Sequence, residues 1–157
     1  MTMIDTTRRW LVTRALTLCS GSLAAVLAGP RLALAQGPGG SPGPGDKVFM
    51  DHAERLKRRA VEAGDQPYGA VIVRDGRLVG EGPSRVVVNR DPTAHAEMEA
   101  IRDAARRLAT RDLSGCVLYA TSRPCRMCEA ASSWASLSRI YFGDAVTDGG
   151  PPRSAAC

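Results

Sequence analysis

The sequence predicts an α/β fold in which a mixed sheet lies between two layers of helices. Helix-like and strand-like hydrophobic patterns alternate from Asp46 onward. A turn-forming Asp75-Gly76 pair separates two apolar runs, which indicates a tight hairpin. The strand, helix and strand expected over residues 116–143 form a crossover, which requires that the two strands pair in parallel.

The first 35 residues resemble a bacterial export signal of the twin-arginine type. Arg8 and Arg9 precede a mostly apolar run over residues 15–34, and residues 33–35 place alanines where a signal peptidase cleaves. We therefore expect cleavage before Gln36 and a periplasmic mature protein.

An uncleaved membrane anchor is the alternative for this segment. Pro30 and Arg31 interrupt the apolar run, so no stable anchor is expected. The full chain of 157 residues has 21 Lys and Arg against 16 Asp and Glu, but only 17 and 15 of these lie beyond residue 35. Its basic character owes much to the signal and is weak support for nucleic-acid binding.

The rest of the chain allows one domain with a modest core. Residues 36–45 are almost all Gly, Pro and Ser, which predicts a disordered linker. The domain is predicted over residues 46–143, followed by a short polar tail over residues 144–157.

The first half of the domain is predicted to be a helix and a hairpin. The helix spans residues 46–63, with Asp46 as its cap, and the strands span residues 68–74 and 77–82. His52 is interpreted as a surface residue of this helix. A cluster of basic residues on it either contacts nucleic acid or, more simply, forms a solvated face: Arg55, Lys57, Arg58 and Arg59.

The second half is predicted to be two helices and two strands. Thr93 is the expected cap of a helix over residues 94–108. A strand over residues 116–121 precedes a helix with Pro124 in its first turn. The strand over residues 139–143 is expected to be the last.

His95, Glu97, Cys125 and Cys128 carry the chemistry of the sequence. One His and two Cys can hold zinc and leave a fourth position for water. The i, i+3 spacing of Cys125 and Cys128 puts both sulfurs on one helix face. This pair and the pair of His95 and Glu97 each lie at the start of a predicted helix, where the partial positive charge of the helix favours thiolates. The order H-x-E followed by P-C-x-x-C is the signature of zinc deaminases that act on bases.

A structural zinc or a redox pair is the alternative for the two cysteines. A structural zinc needs a fourth protein ligand, and the remaining candidates are few: His52, Cys116 and Cys157. Cys116 is interpreted as a small core residue of a strand.

Three stretches, over residues 67–73, 91–97 and 124–128, resemble the cytidine deaminase-like superfamily, in particular its guanine deaminases and tRNA adenosine deaminases. The resemblance implies a three-layer α-β-α fold and a homodimer. It implies one zinc per chain, held by His95, Cys125 and Cys128, which activates a water. It further implies that Glu97 moves the protons of the reaction and that backbone groups near Ala70 and Ala96 touch the substrate.

The chain departs from these relatives at three points. They usually carry a base-binding Asn where this chain has Ser84, so recognition has changed or Asn89 substitutes. They carry Glu where this chain has Arg123, which either meets an anionic substrate group or points to solvent. They continue through a further helix where this chain has its polar tail.

The sequence therefore predicts an exported zinc aminohydrolase of a small nucleobase or nucleoside, most like a guanine deaminase. Because tRNA is cytoplasmic, tRNA is an unexpected substrate. The alternatives are a tRNA adenosine deaminase and a catalytically silent zinc-containing binding protein, against which Glu97 argues. Trp134 is expected either to line the pocket or to lie in the core.

Overall fold

A computed structural model describes residues 44–153. Its elements in chain order are α1 Pro44–Glu62, β1 Gly69–Arg74, β2 Arg77–Pro83, α2 Ala96–Leu108, β3 Cys116–Ala120, α3 Arg126–Trp134, β4 Arg139–Phe142 and β5 Thr147–Gly150. The five strands form one mixed sheet in the order β2-β1-β3-β4-β5. The predicted signal and residues 36–43 of the predicted linker lie outside the described residues.

Helices cover both faces of the sheet, which confirms the three-layer prediction. Alternate side chains of β1 point to opposite faces, as they do in any strand. Ile72 packs in one cluster with Ala100 of α2. Val71 packs in the other with Leu56 of α1.

The start of α1 differs from the prediction. The helix begins at Pro44, so Asp46 lies inside its first turn instead of capping it. The Tyr119 hydroxyl donates a hydrogen bond to the Asp46 carboxylate, which ties α1 to the sheet. Within residues 44–153, no helix is both long and apolar enough to cross a bilayer.

The predicted hairpin is confirmed. Asp75 and Gly76 have φ of 50° and 71°, the left-handed values that a two-residue turn of type I′ requires. The strand bounds differ from the predicted ones by a single residue at the outer ends.

The strand directions bring several loops to one end of the sheet. β3 and β4 pair in parallel, as predicted, with Leu118 opposite Ile140. β1 runs antiparallel to both β2 and β3. The start of β1 therefore lies beside the ends of β2, β3 and β4, and the chain enters α2 and α3 from this same end.

Both helices at this end begin later than predicted. Thr93 does not cap α2, because its hydroxyl donates to Asp91 at 2.7 Å and the N-cap is His95. Pro124 lies just before α3, whose N-cap is Cys125. Each predicted metal ligand at these positions thus stands at a helix terminus.

Residues 144–153, the described part of the predicted tail, are more than a polar tail. Gly143 and Val146 turn the chain, and β5 then pairs antiparallel with β4. The Val146 side chain is buried against the α1 side of the sheet. The segment Thr147–Gly150 has no hydrophobic alternation, so its strand conformation comes from the free edge of β4 and not from its own composition.

Candidate active site

Two helix starts meet at the centre of the site. His95 and Cys125 occupy equivalent N-cap positions, both in extended backbone conformation, and neither side chain makes a capping hydrogen bond. Their carbonyl oxygens accept the first helical hydrogen bonds, from Glu99 and Glu129, each at 2.9 Å. The imidazole and the thiol are therefore free to bind a ligand.

The three predicted metal ligands lie together. The Cys125 Sγ is 3.7 Å from the His95 Nδ1 and 3.6 Å from the Cys128 Sγ, and the Cys128 Sγ is 3.6 Å from the same nitrogen. Tetrahedral zinc with bonds of about 2.0–2.3 Å places neighbouring ligand atoms about 3.5–3.8 Å apart. The triangle fits this ion.

No fourth His, Cys, Asp or Glu joins this triangle among residues 44–153. His52 is half-buried and bonded to Glu81 of β2, with 2.5 Å between Nε2 and Oε1, so it is more than a surface residue. Cys116 is fully buried in the core, as predicted. A three-ligand arrangement with an open position favours a catalytic site over a structural one.

Glu97 lies beside the triangle in the first turn of α2. The Cys128 thiol faces its Oε2 at 3.5 Å, and the residue is only 6% exposed. Burial raises the pKa of its carboxyl and outweighs the opposing effects of its own backbone N–H, Cys128 and His95. A buried carboxyl with a raised pKa can accept and return protons during a reaction.

Cys128 needs a cation to ionise. Burial, the negative charge of Glu97 and the neighbouring Cys125 all raise the pKa of its thiol. A bound zinc deprotonates a coordinating thiol outright, so the buried sulfur is suited to a metal and unsuited to act as a free nucleophile.

A cavity of about 420 Å³ opens over this group. Its floor contains His95, Glu97 and Cys125, so the open side of the metal triangle faces solvent. The walls come from the segment before β1 and the segment after β3: Gln66, Pro67, Tyr68, Ser122 and Arg123. The volume lies within the range of small-molecule sites.

The three predicted substrate-binding residues lie behind these walls. Ala70 of β1 and Ala96 of α2 are buried, with at most 1% of their surface exposed, and neither side chain lines the cavity. Ser84 is 2% exposed, and its hydroxyl donates to the Asp65 Oδ1 at 2.8 Å. Ser84 therefore turns towards a buried carboxylate and away from the cavity.

Asp65 joins three segments near the site. Besides the Ser84 hydroxyl, it accepts hydrogen bonds from the backbone N–H groups of Gln66, Val87 and Val88 at 2.8–2.9 Å. Burial alone would raise the pKa of this carboxyl, but the four donors outweigh burial and hold the pKa below its ordinary value. No local sequence pattern predicts this role.

Of three further residues considered for the pocket, only Arg123 lines the cavity. Its guanidinium lies 5.7 Å from the centre of the Phe142 ring. The side chain is exposed, but it packs near an aromatic ring and does not extend only into solvent. Asn89 is exposed on the loop after β2 and does not line the cavity. Trp134 is neither in the cavity nor in the core, since 60% of its surface is exposed.

Sequence reasoning missed Gln66, Tyr68 and Ser122 as cavity residues. No local sequence pattern marks them, because they come together only through the pairing of β1 with β3. The Gly69 N–H donates to the Thr121 hydroxyl at 3.1 Å, and the Thr121 N–H donates to the Gly69 carbonyl at 3.0 Å. The residues just outside this pair on both segments line the cavity.

The fold and the site define a class of α/β domains that hold one metal ion between two helix starts, with an acid beside the open position. Within that class, the chain belongs to the family of cytidine and deoxycytidylate deaminase zinc-binding regions, whose pattern matches residues 44–144. This confirms the family resemblance, the fold and the zinc cofactor that the motifs predicted.

Relatives of two kinds are similar to the chain. It is 43% identical over 98 residues to the tRNA-specific adenosine deaminase of Aquifex aeolicus, covering 62% of this chain and 65% of the relative. It is 41% identical over 103 residues to the guanine deaminase of Bacillus subtilis, covering 65% and 66%. The solved structure of guanine deaminase from Bacillus subtilis matches with a TM-score of 0.60 at 41% identity, covering 62% of each chain.

The chain thus spans about two thirds of the length of these curated relatives. The tRNA deaminase is as similar to it as the guanine deaminase is. The expectation that tRNA is an unlikely substrate therefore gains no support from the relatives.

Proposed function

We propose that this protein is a zinc-dependent hydrolytic deaminase of a small nucleobase or nucleoside. The observation that carries the proposal is the position of Glu97, beside a metal triangle that has one open side and at the floor of a cavity. An acid at this position serves proton transfer, whereas metal retention alone does not need it.

The metal ligands, Glu97 and the cavity walls have different roles in this reaction. When bound by His95, Cys125 and Cys128, zinc supplies an acidified water as the nucleophile. Glu97 takes a proton at its carboxylate and delivers protons to the ring nitrogen and to the departing ammonia. The cavity walls orient the ring so that its amino-bearing carbon faces the open side of the triangle.

Guanine is the first candidate substrate. The Bacillus subtilis relative is a guanine deaminase, and the Tyr68 ring, 41% exposed at the cavity, offers a surface for stacking a planar base. Cytosine, adenine and their nucleosides belong to the same substrate class.

A tRNA adenosine is the second candidate, favoured by the relative from Aquifex aeolicus. Against it stand the export signal that we infer at the N-terminus and the balanced charge beyond residue 35. The two candidates differ in salt dependence, because binding to a polyanion weakens steeply with added salt and binding to a neutral base does not.

Export by the twin-arginine route is part of the proposal. This route carries folded proteins, so zinc loaded in the cytoplasm would protect Cys125 and Cys128 from pairing in an oxidising compartment. Fractionation of cells that express the full chain should place a protein beginning at Gln36 in the periplasm with zinc bound. Intact cytoplasmic protein, or a Cys125–Cys128 disulfide in the exported protein, would contradict it.

The catalytic proposal is tested by ammonia release. Zinc-loaded protein is assayed with guanine, adenine, cytosine, their nucleosides and tRNA, with Glu97→Ala as the control. We expect turnover of one small compound that the control lacks. Turnover of tRNA alone would establish the second candidate, and binding without turnover would establish a silent binding protein. Light scattering of the same sample tests the homodimer that the resemblance implies.

A further inference from the structure

Gln66 is the one carboxamide side chain that lines the cavity. It lies between α1 and β1, it lines the same cavity as Ser122 and Arg123, and it is partly buried. Among the described residues, none forms a hydrogen bond with its side-chain amide. Its oxygen and its NH2 group are therefore available to a ligand.

The backbone of Gln66 is fixed on both sides. Its N–H donates to the Asp65 Oδ1 at 2.8 Å, and its carbonyl oxygen accepts the Tyr68 N–H at 2.8 Å. Asp65 is itself held by three further donors. The backbone from which this side chain extends is held in place before the ligand arrives, so no backbone ordering is needed on binding.

The other polar residues of the cavity wall do not provide a matched donor and acceptor for the edge of a nucleobase. A nucleobase presents neighbouring donors and acceptors along its ring edge, and a carboxamide matches such a pair with its own oxygen and NH2. Arg123 only donates, and Ser122 and Tyr68 each offer a single hydroxyl. The Ser84 hydroxyl is committed to Asp65.

We propose that the Gln66 amide is the specificity-determining group of this cavity and hydrogen-bonds the ring edge of the nucleobase. It provides the paired donor and acceptor that Ser84 does not. The inference rests on the proposed function and names, within that substrate class, bases with an adjacent donor and acceptor away from the reacting amine.

The kinetic test compares Gln66→Met with Asn89→Ala in zinc-loaded protein. Methionine keeps the length of the side chain and removes both polar groups, whereas Asn89 is an exposed amide outside the cavity lining. We expect Gln66→Met to lower kcat/KM by about 10- to 100-fold, mainly through KM, because a polar edge of the substrate loses its partner. Asn89→Ala should match the wild type.

Two further measurements separate recognition from folding. Zinc content and thermal midpoint should be equal in Gln66→Met and the wild type, because the substitution leaves the braced backbone intact. Gln66→Asn, which keeps the amide on a shorter stem, should recover part of the lost kcat/KM. Equal kcat/KM in Gln66→Met and the wild type, or an equal loss in Asn89→Ala, would overturn the inference.

A binding measurement keeps the inference testable without turnover. The Gln66 side-chain NH2 signals are assigned in a nitrogen-15 NMR spectrum by their loss in Gln66→Met, and the bases of the panel are then titrated. Shifts of these signals on binding support the inference, even if the zinc-loaded wild type releases no ammonia from any compound and the proposed function fails. Binding that leaves the signals unmoved, or no binding and no turnover with any base, overturns it.

Discussion

A β-carbon at Gly82 would lie 2.0 Å from the carbonyl oxygen of Ala96. The same atom would lie 2.4 Å from the Ala100 backbone nitrogen. Both neighbours belong to the backbone of α2, so neither can move without moving the helix. The missing side chain at Gly82 thus sets the distance between β2 and the helix turn that carries Glu97.

Replacing Gly82 by alanine should therefore push the start of α2 away from the sheet. We expect a loss of about 1–3 kcal/mol in the free energy of unfolding, because overpacking at a close contact costs that much, together with weaker zinc retention. Chemical denaturation and metal analysis measure the two effects. Gly45→Ala is the matched control, since nothing lies within 4 Å of a β-carbon there. A stable, zinc-loaded Gly82→Ala protein would contradict the packing argument.

Glu97→Gln should abolish proton transfer and leave the metal site intact. Since general acid–base catalysis contributes about 100- to 10,000-fold, we expect a loss of kcat in that range with unchanged zinc content. Glu99→Gln is the control, because Glu99 lies on the same turn but pairs with Arg102 at 2.5 Å and lies outside the cavity. An active Glu97→Gln protein would remove the carboxylate from the mechanism.

Zinc content should depend on two of the cysteines and not on the third described one. Cys125→Ala and Cys128→Ala each remove one corner of the triangle, so both should bind far less zinc than the wild type. Cys116→Ala should keep one zinc per chain and lose only core packing. Elemental analysis after dialysis measures the stoichiometry. Chelation of the wild type should also lower its thermal midpoint, because metal binding adds to folding stability.

Asp65→Asn should lower stability in a pH-dependent way. The carboxyl has a folded-state pKa below its ordinary value of 3.8. Its contribution is therefore fully present above that value and is lost as the pH falls through the folded pKa. We expect a deficit of about 2–3 kcal/mol at pH 7, since hydrogen bonds to a charged group are lost, and a deficit that shrinks as the pH falls through the folded-state pKa. Urea unfolding across this range measures it; a deficit independent of pH would rule out the charge.

Local patterns in the sequence were enough to predict the metal site. The Cys125-x-x-Cys128 spacing acts within a single helix turn, so it places both sulfurs without knowledge of the rest of the fold. The Asp75-Gly76 turn is local in the same sense. The predicted starts of the helices were less accurate. Thr93 was expected to cap α2, but its hydroxyl donates a hydrogen bond to Asp91 instead.

Features that depend on distant partners were not predictable in this way. The wall that includes Gln66 and Ser122 exists because Gly69 pairs with Thr121, 52 residues away. The resemblance predicted a substrate-binding role for Ser84, yet its hydroxyl donates to Asp65, 19 residues earlier. β5 depends on pairing with β4, and its own residues carry no strand signal.

The convergence of three segments on Asp65 has a consequence for how this cavity can be redesigned or can evolve. The backbone N–H groups of Gln66, Val87 and Val88 and the Ser84 hydroxyl all donate to the same carboxylate, so changes that shift the backbone of one segment should be strongly epistatic with changes in the others. A library that varies one segment at a time would miss combinations that only work together. New substrate ranges are therefore best sought by exchanging the three segments as a block.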